Sequence, residues 1–226
     1  KKGINILTDS GVKRIEHLEN DASKVVYENK GKEEIVEADV VLMAVGRTAR
    51  TEIVEDNTIG ITYGKRGIEV DENMQTSVPH IYAIGDVNGL CQLAHAATFQ
   101  GRRALNHILG RKDNIRFDLI PSAVFTSPQL ASVGLRKEDV TEHKPLVYKS
   151  FYRANGRALS MDADEGFLKI VCNEEGRVLG VHIMGEQASE LIHEATVLMN
   201  LGGTISQLGD IIHAHPTLSE MYRAAV

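Results

Sequence analysis

From Asp39 to Gly46 the chain reads Asp-Val-Val-Leu-Met-Ala-Val-Gly, apolar at every position between the opening aspartate and the closing glycine. A strand with one wet face alternates. A run with no polar position is the pattern of a strand covered on both faces, as in a parallel sheet flanked by helices. A second such run, Ile81-Tyr82-Ala83-Ile84-Gly85-Asp86, follows the turn-rich Thr76-Ser77-Val78-Pro79-His80. After Val87-Asn88-Gly89 the period changes. Leu93, Ala97, Gln100, Ala104 and Ile108 recur at helical spacing, which predicts a helix from about Gln92 to Leu109 closed by Gly110. Strand, glycine turn and helix in that order make the switch-point geometry at which α/β proteins hold ligands.

Around these runs the pattern is antiparallel. Ile4-Asn5-Ile6-Leu7, the stretch Gly11 to Leu18, and Val25-Val26-Tyr27 read as strands. The polar turn Asn29-Lys30-Gly31-Lys32 then leads into Glu34-Ile35-Val36-Glu37 and completes a hairpin signal. From about Pro121 come Ser122 to Thr126, Ala131 to Gly134 and Leu146 to Tyr148. A hairpin follows, Phe167 to Cys172 and Val178 to Met184 across Asn173-Glu174-Glu175-Gly176. Helical segments over Ala188 to Leu201, Ile205 to Ile212 and Pro216 to Ala225 close the chain. Strands followed by helices argue for a separate α+β domain, able to fold on its own.

The 226 residues, 42% hydrophobic and 25% charged, suffice for one large or two modest globular domains. A formal net charge of -6 gives no electrostatic footprint for nucleic acid or an anionic membrane. The basic pairs Lys1-Lys2 and Arg102-Arg103 read as a chain end and a solvated face. No stretch approaches the roughly 18 apolar residues of a membrane-spanning helix. The two cysteines, Cys91 and Cys172, stand too far apart for a zinc site or a disulfide scaffold, and read as free thiols in a reducing compartment. The chain opens on Lys1-Lys2-Gly3 with no methionine, the pattern of an internal start.

Chemistry concentrates in His213-Ala214-His215-Pro216-Thr217-Leu218-Ser219-Glu220. Proline restricts the residue before it to extended backbone and suits a first helical position, so His215 is expected just outside a helix and Glu220 in its opening turn. A carboxylate on one ring nitrogen would fix the tautomer and raise the basicity of the other, equipping His215 for proton transfer. Thr217 to Glu220 is equally a capping box, in which Glu220 serves only the backbone. Asp86, ending its run after Gly85, could accept hydrogen bonds from ligand hydroxyls or simply form a turn. The helix start near Leu93-Ala94-His95 offers unpaired N–H groups to an oxygen, as any helix start does. His213, His215 and Glu220 lack evident further ligands for a metal, so no metal site is expected. His182, His193, Met184 and Met199 read as packing or surface residues. Gly60-Ile61-Thr62-Tyr63-Gly64-Lys65 is one residue short of a P-loop and is followed by Arg66 where serine or threonine is required.

Three segments together resemble the pyridine nucleotide-disulfide oxidoreductases, most closely the dihydrolipoamide dehydrogenase branch. They are Ala44-Val45-Gly46-Arg47-Thr48, the stretch Thr76 to Asp86, and His213 to Glu220. Phe125 to Gly134 looks like the strand entering that family's dimerisation domain. The resemblance spans essentially the whole chain. It implies an α+β dimerisation domain over 119–226, preceded by incomplete α/β dinucleotide-binding segments. Residues 1–50 would be the C-terminal part of an NAD-binding domain and 51–118 that of an FAD-binding domain.

The resemblance further implies that Gly46 edges the NAD site, that Asp86 bonds the flavin ribityl chain, and that backbone groups of Leu93, Ala94 and His95 meet the pyrimidine end of the flavin. His215, oriented by Glu220, would be the acid/base serving the redox dithiol in the partner subunit of a homodimer. The His-Pro bond is often cis in the family. The implied reaction passes electrons from a dithiol, carried by a lipoyl-bearing protein of a 2-oxo acid dehydrogenase complex, through a disulfide and FAD to NAD. The implied location is the cytoplasm, or the mitochondrial matrix in a eukaryote. The sequence departs from the family pattern: neither GxGxxG nor the redox CxxxxC is present, and Ala49-Arg50 stands where Pro-Asn often does. The chain is therefore expected to be a C-terminal fragment without turnover of its own. A glutathione reductase-like or transhydrogenase-like relative, and a flavin-free dimerisation module, are the competing readings.

Overall fold

The computed structural model describes residues 3–19, 21–52 and 59–226, and Lys1-Lys2 lie outside them. The chain divides into two compact units, Lys1–Arg47 and Thr48–Val226.

The first unit is an antiparallel meander of β1 (Ser10–His17), β2 (Ser23–Asn29) and β3 (Lys32–Ala38), paired in that order. The two-residue loop between β2 and β3 is Lys30-Gly31, both at positive φ (51° and 77°). This is the type I′ geometry that matches strand twist, so local turn chemistry sets the register of the hairpin. Tyr27 donates its hydroxyl to Glu34 across that pair at 2.9 Å.

Two expected strands of this unit do not form. Ile4 to Leu7 is irregular and exposed, with Ile4 and Ile6 at 76% and 80%. Asp39 to Gly46 is likewise unpaired, with Val40 84%, Leu42 86% and Val45 81% exposed. A doubly covered strand is stable only between neighbours, and no strand among the described residues pairs with this one.

The second unit begins with two-residue strands β4 (Tyr63–Gly64) and β5 (Gly67–Ile68). The expected parallel strand at Ile81–Asp86 is instead an arm of a tight antiparallel turn. Tyr82 bridges Gln75, Thr76 N–H donates to Ile81 O, and Ala83 N–H donates to Met74 O. The chain then winds into a 3₁₀ turn, Gly85–Asn88, and into α1 (Ala94–Ile108), which buries Ala96, Gln100 and Ala104 but leaves Ile108 exposed. Arg102 is exposed, whereas Arg103 is not the solvated residue expected. It bonds Asp113 at 2.8 Å, with side chains only 18% and 10% exposed, and also reaches Glu72 O and Ile115 O.

The remainder is the expected α+β domain. Its strands β6 (Ser122–Val124), β7 (Gln129–Gly134), β8 (Leu146–Phe151), β9 (Phe167–Cys172) and β10 (Val178–Gly185) form an antiparallel sheet in the order β6-β7-β10-β9-β8. Gly176 (φ 80°) closes the β9–β10 turn, where Asn173 Oδ1 accepts from Arg177 N–H. A short α2 (Gly156–Ser160) precedes β9.

After the sheet, α3 (Ala188–Asn200) lays Ala188, Leu191, Ile192, Ala195 and Met199 onto β7 and β10, an apolar stripe at helical spacing. Then come α4 (Ile205–Gly209), capped by Thr204 with Gln207, and α5 (Glu220–Ala224). The contiguous apolar core of this unit lies wholly between Leu119 and Ala225. The last helix starts at Glu220 and not at Pro216, because Thr217 is held outside it. Its hydroxyl donates to Ala214 O and its carbonyl accepts from Asn155 Nδ2.

Candidate active site

His215 sits in the turn before α5, preceding a cis bond to Pro216. Its Nδ1 faces both oxygens of Glu220, at 3.0 and 3.2 Å, and its side chain is 79% exposed. Glu220 Oε2 also accepts the Thr217 N–H at 2.9 Å. The capping box expected of Thr217 to Glu220 is only half formed, because the N-cap of α5 is Ser219 and the Thr217 hydroxyl donates to Ala214 O. The Glu220 carboxylate serves the Thr217 N–H and the imidazole together. The Thr217 bond first, and the imidazole second, hold the Glu220 carboxyl below its ordinary pKa, so it stays ionised at neutral pH. An ionised partner makes Nδ1 the donor and leaves the lone pair on the exposed Nε2.

A second pair lies two residues upstream. His213 Nε2 meets Glu194 of α3 at 2.7 Å, with the imidazole only 5% exposed, and its buried Nδ1 has no partner. The two imidazoles of the HxH therefore serve different carboxylates. Glu194 is nineteen positions away on another element, and local spacing carries no sign of it. Its neighbour on α3, Leu191 O, accepts the Tyr222 hydroxyl of α5 at 2.6 Å, while Ser150 Oγ of β8 donates to Met221 O at 2.7 Å. The segment 213–220 is thereby pinned between α3, β8 and α5.

The other candidate residues are built on the 3₁₀ turn and α1. Asp86 is half-buried in that turn, directly after Gly85 (φ 74°). A Cβ at Gly85 would stand 3.2 Å from Ala97 Cβ, a tight approach to α1 that joins the left-handed φ in favouring glycine here. Leu93 is the extended N-cap of α1 and supplies no side-chain cap, which leaves the first N–H groups, including those of Ala94 and His95, open to an outside oxygen. The His95 side chain turns away and bonds Pro121 O through Nε2 at 2.8 Å. Buried Gln100 and Asn88, which sequence reading had not singled out for a role, tie turn and helix together. Gly46 lies in the first unit at φ 111°, a conformation open to glycine, with no heavy atom within 4 Å of a built Cβ.

Both cysteines are free. Burial pushes the Cys172 thiol up to about 11, and burial with the nearby Asp86 charge raises Cys91, so neither is an activated nucleophile. His182, half-buried on β10, is held below its usual range mainly by desolvation and bonds Leu135 O. His193 is exposed, Met184 half-buried and Met199 buried.

Among known proteins, the profile described as "Pyridine nucleotide-disulphide oxidoreductase, dimerisation domain" matches residues 120–226, and that of "Pyridine nucleotide-disulphide oxidoreductase" matches 1–101. The dihydrolipoyl dehydrogenase of Geobacillus stearothermophilus is 38% identical over 225 residues, 98% of this chain and 48% of its own length. That of Bacillus subtilis is 39% identical over 226 residues. The chain thus spans about half the length of the curated relatives it matches. Among solved structures, LpdA from Mycobacterium tuberculosis superposes with a TM-score of 0.89 at 29% identity, over 99% of this chain and 49% of LpdA. The HOCl-induced flavoprotein disulfide reductase RclA from Escherichia coli gives 0.82 at 27%, over 95% of this chain and 49% of RclA.

Proposed function

This chain belongs to the pyridine nucleotide-disulphide oxidoreductase family, and on that premise we propose that it forms the C-terminal part of a dihydrolipoyl dehydrogenase-like flavoprotein. Residues 1–50 close its NAD-binding domain, 51–118 close its FAD-binding domain and 119–226 are its dimerisation domain. The complete protein oxidises a dithiol, delivered by a lipoyl-bearing protein, and reduces NAD. It acts as a homodimer in the cytoplasm, or in the mitochondrial matrix of a eukaryote.

The observation that carries this reading is the His215–Glu220 pair. A dithiol gives up electrons only as thiolate, so a base must take the thiol proton as sulfur reacts. His215 Nε2 is that base, reaching into the partner subunit's site. Glu220 fixes the tautomer through Nδ1 and stabilises the imidazolium that forms. As the substrate thiolate attacks a disulfide sulfur, a new S–S bond forms and the old one breaks. The imidazolium can pass its proton to the thiolate that leaves or to solvent, to which the exposed ring is open.

The residues around the 3₁₀ turn fit part of a flavin. Asp86 can accept from ribityl hydroxyls, and the uncapped N–H groups of Ala94 and His95, just beyond Leu93 at the helix start, can meet a ring carbonyl oxygen, while the Leu93 N–H is engaged by Cys91. Gly46 would edge the nicotinamide side. Bound FAD supplies the two-electron chemistry that links dithiol to NAD, while the protein orients it.

The test is His215→Gln in the full-length protein. Dithiol oxidation is expected to fall about a thousandfold with the flavin absorbance retained, the scale of a lost general base. Unchanged turnover would sink the assignment.

A further inference from the structure

The two elements expected to touch the flavin are joined through one buried oxygen. Gln100, on the second turn of α1 and 1% exposed, accepts with Oε1 from the Gly85 N–H at 2.7 Å and from Asn88 Nδ2 at 2.9 Å. Asn88 is 4% exposed; its Nδ2 also donates to Ala83 O at 3.1 Å and its Oδ1 accepts from Leu90 N–H at 3.0 Å. The orientations of both amides follow from their partners. Two donors face Gln100, so its oxygen must point at them, and a backbone N–H faces Asn88 Oδ1, so its nitrogen must face Gln100.

The clasp spans the whole turn from Ala83 to Leu90 and attaches it to α1 below its first turn. Asp86 lies one residue after the N–H that Gln100 receives, and Leu93 to His95 lie at the start of the helix that carries Gln100. Apolar contact between turn and helix would tolerate sliding. A shared acceptor with two directional bonds does not, and leaving either donor unmet in a buried site is costly.

We infer that Gln100 and Asn88 are positioning residues for the flavin, fixing the separation between the Asp86 carboxylate and the N–H groups opening α1 so that one rigid ligand reaches both. This rests on the reading of Asp86 and α1 as flavin contacts. A two-point contact retains its full affinity only when the points are held in place before the ligand arrives. The helix start also presents positive partial charge, which favours the more negative reduced ring, so its placement tunes the flavin potential as well.

The test uses the full-length flavoprotein and FAD itself. Gln100→Leu, which removes both acceptor bonds, is expected to raise the FAD Kd about tenfold or more and to lower the flavin midpoint potential. If Gln100→Leu yields no soluble protein, Asn88→Ala, which spares the Gln100–Gly85 bond, carries the test with an expected loss of about threefold. A soluble Gln100→Leu protein, or failing it Asn88→Ala, whose apoprotein melts lower while its FAD Kd and potential stay at parental values would reduce the clasp to a structural tie and overturn the inference. Parental protein that binds no FAD would instead refute the flavin reading of Asp86 and α1, and the positioning role with it.

Discussion

Removing the two hydroxyls that pin α5 should cost the C-terminal domain a measurable share of its stability. A helix of five residues, Glu220–Ala224, is far too short to persist on propensity. It is held by Ser150 Oγ to Met221 O at 2.7 Å and by Tyr222 Oη to Leu191 O at 2.6 Å, with Ser150 6% and Tyr222 0% exposed. Ser150→Ala strips a partner from a carbonyl near a helix end, where no intrahelical N–H is available to replace it. Tyr222→Phe leaves a carbonyl in the middle of α3, which keeps its helical partner, but opens a gap the size of one oxygen.

Each loss is worth about 1 to 1.5 kcal/mol. The pair should cost about 2 kcal/mol, less than the sum, because both bonds hold one helix. At roughly 4–8 °C per kcal/mol for a domain of this size, the double variant should melt about 10 °C below its parent. The assay is thermal unfolding of residues 119–226, which contain the whole of their apolar core, with calorimetric and van't Hoff enthalpies compared to check two-state behaviour. A double variant melting within about 1 °C of the parent would refute the claim that these bonds hold α5.

Gly185→Ala should abolish soluble expression of the same domain, since at φ 152° an added Cβ would stand 2.2 Å from the Tyr152 ring; soluble protein with a cooperative melt would contradict it. Cys172, its thiol near 11, should resist iodoacetamide at pH 8 in the folded domain, where only about 0.1% would be thiolate, and react once the chain is denatured. The Glu220 carboxyl lies below its ordinary 4.5 in the folded state, so the stability it contributes is complete above that value and disappears as pH falls through the lowered one. Carboxyl carbon NMR should accordingly place its midpoint under 4.5, and a midpoint at or above that value would remove Thr217 and His215 as its partners.

What was legible in the sequence was what local chemistry decides. Lys30-Gly31 and Asn173 to Gly176 specify their turns through positive φ and an Asx bond, and the strands on either side follow. The apolar run Asp39 to Gly46 was misread because composition reports what a strand needs, not whether its neighbours are at hand. His213 and Arg103 were underestimated for a related reason. Their partners, Glu194 and Asp113, are brought to them by the packing of other segments, and a short window around either residue contains no trace of the match. His215 and Glu220 lie five positions apart, close enough for the pairing to be written locally.

The bare run from Val40 to Val45 gives this molecule a practical temperament. Six uncharged residues, three of them valine, that are largely exposed and belong to no sheet among the described residues are a template on which a second chain can lay itself down. On the reading proposed above, the strands that would cover this run belong to the part of the NAD-binding domain that precedes it, so the run is bare only where that part is missing. A purification of residues 1–226 alone is most apt to fail through this edge, and the longer protein is expected to be free of that fault.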